Sequence, residues 1–334
     1  MAGSKRLVVL TRRRAGPSFR QRIEPYLPAL AERGVACEVV ELARSPWARA
    51  RQLQGAGGYD GVLVQKKTLT AWDVLFLRRA RAVIIYDFDD AVLYKARRAE
   101  GGPDRGRLRR FARTVRAASL VIAGNNILAG HATAAGAAWV EVVPTGLATA
   151  RYGPAPRSRT DGRCRLVWIG SRSTLKQLRP FYRTLQAIGQ ALPGVVLRII
   201  ADAPLVVEGL EVENIPWSRQ GETELLAGAD IGIAPLPDTP FTRGKCGFKV
   251  LQYMATGLPV VASPVGVNAE YVVHERTGLW ARTTEEWVSA IRRLSADAGL
   301  RRRMGQAARR RSEEFDFAVL EPRFCGIVLR ALGE

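Results

Sequence analysis

The sequence predicts two α/β domains in tandem, each a parallel sheet covered by helices on both faces. Three observations carry this prediction. Apolar runs of Val, Ile and Leu are continuous rather than alternating, as in strands buried on both faces. Helix-like patterns separate them, the order expected of doubly wound sheets. A polar stretch rich in Pro, Gly and Arg, residues 151–163, interrupts the series, after which the strand–helix alternation restarts. The chain has 334 residues, about twice the ~150-residue domain prior.

Taken in order, residues 5–10 read as a strand, 19–33 as a helix stopped by Gly34, and 35–42 as the next strand. Strands follow at 61–65 and 82–87, with a helix at 71–79 between them, and then at 120–123 and 140–143. Beyond the break, 165–169, 195–200, 231–234 and 259–262 read as strands. Helices are expected at 177–191, 222–227, 248–255 and 284–295, then a basic helix at 300–315. The domain bounds are therefore 1–150, a linker at 151–163, a second domain at 164–315, and a C-terminal amphipathic segment at 316–334 expected to return to the first domain. In open α/β sheets ligands gather beyond the carboxyl ends of the strands, so residues there become the candidates.

Composition narrows the function. At 47% hydrophobic and 25% charged residues the chain is an ordinary globular protein rather than a disordered or collagen-like one. Lys and Arg number 51 against 31 Asp and Glu, a net charge of +20, which attracts polyanions: nucleic acid, anionic lipid or phosphorylated substrates. Compositional bias toward arginine is the competing explanation. The N-terminal apolar run is too short for a secretion signal, and no run approaches a membrane span, so a cytoplasmic location is expected. The four cysteines are scattered and only two histidines, His131 and His274, are present, which argues against zinc or disulfide frameworks. Each histidine reads as structural.

The most informative stretch is 231–268, IGIAPLPDTPFTRGKCGFKVLQYMATGLPVVASPVGVN. A basic Gly-containing loop leads into a helix, and unpaired N–H groups at a helix start, with the helix dipole, hold phosphate oxygens. Arg243, Lys245 and Lys249 add cationic donors there.

This stretch resembles the donor-binding core of the retaining nucleotide-sugar glycosyltransferases of family 4, the group 1 type with the GT-B fold. The family pattern is Glu, seven residues, a second Glu, then Ala-Met-Ala-x-Gly-x-Pro-Val-Val-Ala. Residues 251–262, LQYMATGLPVVA, match its second half. The second Glu falls on Gln252 and the first on Gly244, so both signature carboxylates are replaced. The family's Phe-Gly-Leu falls on Cys246, Gly247 and Phe248. A second family feature, a strand followed by Gly-Arg and then a Lys six residues after the Gly, falls on Gly170, Ser171 and Lys176, with Arg172 one place displaced.

The resemblance implies two Rossmann-like domains facing a cleft and transfer of a sugar, with retention, from a UDP- or GDP-sugar to an acceptor hydroxyl. It implies no cofactor and no metal, the diphosphate being met by Lys176, Arg172, Lys245 and Lys249. The acceptor would be a sugar or a lipid-linked sugar, the setting polysaccharide or glycoconjugate synthesis, with peripheral contact to the inner face of an anionic membrane. Nucleic acid is not an expected partner. Gln252 keeps an amide able to bond a ribose hydroxyl, Asp238 is a candidate replacement carboxylate, and Trp217 lies where the family binds the base. Asp89 or Asp90, in YDFDDA at a strand end, would accept or orient the acceptor hydroxyl's proton, with helix capping as the alternative role. Clustered acids there need cationic partners. Residues 16–20, GPSFR, and Asn125 with Asn126 are further candidates beside plain structural roles. Two other readings remain open: a degenerate member that binds a sugar nucleotide without turnover, and a basic nucleic-acid-binding protein, for which no motif speaks.

Overall fold

A computed structural model describes residues 5–95, 101–153 and 161–333. The chain divides into two compact units. Unit 1 comprises 1–146, 239–246 and 317–334, and unit 2 comprises 147–238 and 247–316. The division falls at Gly146/Leu147, a few residues before the polar break read from the sequence, and positions 154–160 of that break lie outside the described residues.

Unit 1 is built on strands β1 Lys5–Thr11, β2 Val35–Glu41, β3 Gly61–Gln65, β4 Val83–Phe88, β5 Leu120–Ala123 and β6 Val140–Val142. They form one parallel sheet in the order β2-β1-β3-β4-β5-β6. The strand order reverses between β1 and β3, so the switch point, where open sheets place ligands, lies beyond Thr11 and Gln65. One face carries Val8, Leu10, Val62, Val64 and Tyr86 against the helices Pro46–Gln54, Ala71–Ala80 and Arg105–Ala117. The other carries Leu7, Val9, Leu63 and Ile85 against residues 17–32 and the C-terminal helix Phe317–Ala331. Tyr26 stacks on Phe324 of that last helix at 4.3 Å.

Unit 2 has strands β7 Cys164–Ile169, β8 Val195–Ala201, β9 Glu211–Pro216, β10 Ile231–Ala234, β11 Val260–Ala262 and β12 Gly278–Trp280, parallel in the order β12-β11-β10-β7-β8-β9. Its switch point lies between β7 and β10.

Two helices expected as continuous are broken, and proline is the reason. The expected 19–33 helix is Pro17–Arg22, a 3₁₀ turn Glu24–Tyr26 and a helix Leu27–Glu32, because Pro25 and Pro28 cannot donate to a preceding turn. The expected 177–191 helix is a 3₁₀ segment Lys176–Phe181 containing Pro180, then a helix Tyr182–Ala191.

Candidate active site

In unit 2 the site is assembled at the carboxyl end of β7. Trp168 is fully buried, and Gly170 follows two residues later on the same side of the strand. A β-carbon on Gly170 would lie 2.4 Å from the Trp168 ring and 2.5 Å from Thr174 Oγ1, so only glycine fits there. Ser171 opens the short helix Arg172–Leu175, its N–H donating to Thr174 Oγ1 at 2.9 Å. The Arg172 N–H is taken by Asp202 Oδ1 at the end of β8, and its side chain lies by the Asp202 carbonyl. Lys176 is exposed at the end of that turn.

The second motif meets the first here. Gly247 has φ +61° and caps the helix Phe248–Ala255. A β-carbon would meet Val267 at 2.8 Å and Tyr271 at 3.0 Å, and the left-handed backbone disfavours any other residue. Phe248 packs partly buried against the core beneath it. One residue on, Lys249 sets its ammonium 4.0 Å from the centroid of the Trp168 ring. The Lys249–Trp168 contact therefore links the segments that carry the two glycine turns.

Gln252 is buried in the same helix and donates to the Tyr152 hydroxyl at 3.3 Å. Tyr152 in turn bonds Glu222 Oε1 at 3.1 Å, and Trp217 donates through Nε1 to Glu222 Oε2 at 2.9 Å. Burial, then the Glu222 charge, pushes the Tyr152 hydroxyl above the usual tyrosine range, so it stays protonated. Trp217 is 38% exposed and is held by its ring nitrogen rather than by the core. Glu222, which sequence reasoning passed over, is the buried carboxylate tied to Gln252. Asp238 is exposed in the loop after β10.

Unit 1 collects a charged cluster at the carboxyl ends of β1, β3 and β4. Gln65 pairs with Asp87 in register, and Thr11 Oγ1 donates to Gln65 Oε1 at 2.8 Å, so the three form a row across the strands. Asp87 is fully buried and meets Arg22, whose Nη2 lies 2.5 Å from Oδ1 and whose Nε is 3.1 Å from both oxygens. Burial raises the Asp87 pKa and the guanidinium opposes it. Burial likewise works against the Arg22 charge, yet Asp87 outweighs it and holds the guanidinium protonated. Asp89 accepts from Ser18 Oγ at 2.7 Å and lies 3.0 Å from Lys66 Nζ. Although burial pushes its carboxyl up, Lys66 and Arg22 pull it below the usual range. Asp90 is bridged by Lys66 Nζ at 2.9 Å and Lys245 Nζ at 3.4 Å. Lys66 itself has φ +58°, a left-handed conformation rare for lysine and one that concentrates at functional sites. Its own pKa is raised, Asp89 and Asp90 overcoming its burial.

The clustered acids are thus each met by cations: Arg22, Lys66 and Lys245. Neither Arg22 nor Lys66 stood out in the sequence, although Lys66 directly follows β3 and Arg22 closes the helix after β1. Of the stretch 16–20, Ser18 enters the cluster. Lys245 clusters with unit 1, ion-paired to Asp90 and 4.7 Å from the Phe241 ring centroid. Arg243 is exposed beside it in sequence. Gly244, the position of the first family Glu, is buried; a β-carbon there would sit 2.8 Å from Ala91 Cβ and 3.1 Å from Leu128 Cδ2. Asn125 caps the helix Asn126–Ala134, accepting from the Leu128 N–H, and its amide donates to the carbonyls of Gly244 at 3.4 Å and Lys245 at 3.2 Å. It clamps this loop, whereas Asn126 is exposed. Burial pushes the neighbouring Cys246 thiol up to about 12, which leaves it unreactive. His131 packs edge-on to Tyr94, and His274 accepts from the Trp280 N–H while stacking on its ring, so both are structural.

Residues 163–297 match the family model described as Glycosyl transferases group 1. Among curated relatives, glycogen synthase of Mycobacterium tuberculosis is 26% identical over 210 residues, 59% of this chain and 50% of that protein. A D-inositol 3-phosphate glycosyltransferase of Pseudarthrobacter chlorophenolicus is 26% identical over 193 residues, 52% of this chain and 46% of that protein. The aligned segments span about half the length of these relatives. Anabaena Alr3699/HepE, solved in complex with UDP and glucose, superposes with a TM-score of 0.75 at 17% identity, covering 98% of this chain and 100% of that one. Sucrose-phosphate synthase from Thermosynechococcus elongatus gives 0.76 at 16% identity, covering 98% and 99%. These likenesses show the GT-B fold. With the family match across unit 2, they identify the chain as similar to the group 1 glycosyl transferases.

Proposed function

We propose that the protein transfers a sugar from a nucleotide-sugar donor to an acceptor hydroxyl, with retention of configuration. The observation that carries the reading is the meeting of Lys249 with Trp168, whose ring abuts Gly170, at the carboxyl end of β7 beside the switch point of unit 2. Cleavage of a sugar nucleotide leaves negative charge on the departing diphosphate. Lys249, Lys176 and Arg172, with the first N–H groups of the helix Phe248–Ala255, strengthen their hold as that charge grows, which lowers the barrier. The Trp217–Glu222–Tyr152–Gln252 chain lines the nucleoside end. Because the Anabaena protein was solved with UDP and with UDP-glucose, a uridine diphosphate sugar is the first donor to test.

Unit 1 supplies the acceptor side in this reading. Asp87 is committed to Arg22, and Asp89 is held ionised by Lys66 and Ser18. Asp90 is the more exposed of the last two and orients the acceptor hydroxyl. The acceptor class is a sugar or lipid-linked sugar of glycoconjugate synthesis.

The packing of Gly244 against Ala91 favours one second reading, nucleotide-sugar binding without turnover, since no carboxylate stands at that position. Incubation with UDP-glucose and a panel of sugar acceptors, followed by NMR of the anomeric proton, separates the two. Release of UDP with an axial product supports retaining transfer, whereas an inverted product refutes it. Stable binding without release supports the second reading.

A further inference from the structure

The carboxyl edge of the unit 1 sheet carries two neighbouring lysines in different company. Lys66 and Lys67 follow β3 directly, and their N–H groups donate to the carbonyls of Asp87 and Gln65, each at 2.6 Å. Lys66 is neutralised by Asp89 and Asp90. Lys67, half-buried, has Arg49, Arg12 and Arg110 as its charged neighbours. Burial, then Arg49 and Arg12, press its pKa down, Asp73 opposes them, and Arg110 adds to the fall. Asp73 is buried, its Oδ1 3.1 Å from Arg49 Nε and its Oδ2 accepting from the Thr70 N–H at 2.8 Å. Among the described residues Lys67, Arg12 and Arg110 have no ion-pair partner. Four cations thus share one carboxylate, and folding holds them together against their own repulsion. Like charge left uncompensated at a strand end is the mark of a site that takes an anion.

Two further features stand at this edge. Gln65 is buried at the end of β3; its oxygen accepts from Thr11, and its Nε2 donor meets no acceptor among the described residues. The Arg49–Asp73 pair joins the first turns of the helices Pro46–Gln54 and Ala71–Ala80, which follow β2 and β3 and so begin at the carboxyl edge. Those same turns carry Trp47, 85% exposed, and Trp72, 69% exposed. Flat aromatic faces near cationic donors suit a ligand that has both an apolar ring face and a negative charge.

We propose that this edge binds the acid group of an anionic saccharide, a phosphate or a carboxylate, with Lys67, Arg12 and Arg110 meeting the charge and the exposed tryptophans covering a sugar ring. The inference rests on the sugar-transfer reading, whose acceptor it narrows from a sugar to a sugar that carries an acid. Asp90, which orients the acceptor hydroxyl in that reading, is held by Lys66, the chain neighbour of Lys67. Acid group and reacting hydroxyl therefore belong to one bound molecule. A bare phosphate would answer to the cations and leave the tryptophans without a role. A neutral sugar would answer to the tryptophans and leave the cations uncompensated. The half-buried position of Lys67 strengthens its attraction to an anion, because water screens it less there.

The test is titration calorimetry and thermal unfolding of the whole protein with glucose 6-phosphate, glucuronate, glucose and inorganic phosphate. At least one acidic sugar should bind, raise the Tm and lose affinity with salt, while glucose should not; the tighter of the two tells phosphate from carboxylate. Lys67→Gln and Arg110→Gln should each weaken that binding about tenfold. Without ligand, Lys67→Gln should unfold at or above the wild-type Tm, because it removes a repelled charge; a merely structural lysine would lower it. The Trp47→Ala/Trp72→Ala variant should bind the acidic sugar more weakly and inorganic phosphate as the wild type does. Titration of UDP into the same protein reports on the donor reading alone, so failure of that reading is told apart from failure of the acid site. The proposal is overturned if the acidic sugars bind no more tightly than glucose, or if their affinity is indifferent to Lys67 and Arg110. Equal affinity for inorganic phosphate or for an oligonucleotide of any sequence also overturns it, since the surface would then recognise charge without a sugar.

Discussion

Gly244 presses on Ala91: a β-carbon on the glycine would stand 2.8 Å from the alanine's own. This contact explains why a carboxylate is missing where the related pattern has its first Glu. Writing the residue back is therefore expected to fail. Gly244→Glu should destabilise the protein by about 1–3 kcal/mol through overpacking against Ala91 and Leu128, seen as a lower Tm, with no gain in sugar transfer. An unchanged Tm with raised turnover would refute this.

The second missing Glu has a different cause. Gln252 gives its amide hydrogen to Tyr152, which serves Glu222 in turn. Tyr152→Phe leaves a buried amide and a buried carboxylate without their shared partner and should cost about 1–3 kcal/mol in urea unfolding. A cost well below that would mean the chain of bonds is not formed.

Arg22 and Asp87 form a buried pair, and removing one partner strands a charge. Arg22→Ala should cost about 3–5 kcal/mol, while Arg22→Met combined with Asp87→Leu should recover much of that loss. Equal stability of the single and double variants would contradict the pairing.

The pH response follows from Asp89. Its folded pKa lies below its unfolded value of about 3.9 because Lys66 and Arg22 outweigh its burial. The stability it contributes is thus fully present above the unfolded pKa and is lost as pH falls through the lower folded one. Tm measured from neutral pH down into the acid range should drop more steeply for the wild type than for Asp89→Asn. Parallel curves would show that Asp89 is not held ionised.

Much of this was legible in the sequence. Continuous apolar strands and glycine-ended helices announced both sheets, because buried parallel strands carry their signal in a few consecutive residues. Pro25, Pro28 and Pro180 lie inside otherwise helical apolar patterns, and there the missing N–H outweighs the periodicity. The glycine turns at 170 and 247 pointed to the donor motifs, yet nothing local joined Lys249 to Trp168, since that contact is tertiary. The same holds for Arg22, Lys66 and Glu222, whose partners lie 65, 24 and 70 residues away in the chain. Sequence proximity of Lys245 to Lys249 likewise does not reveal that the loop 239–246 clusters with unit 1.

Titration calorimetry with UDP, GDP and UDP-glucose on the wild type and on Lys249→Ala tests the central claim most directly. The account predicts nucleoside diphosphate binding by the wild type, weakened by about 1–3 kcal/mol in the variant as a charge-assisted contact is lost. Binding of no nucleotide, or equal affinity in both proteins, would contradict it.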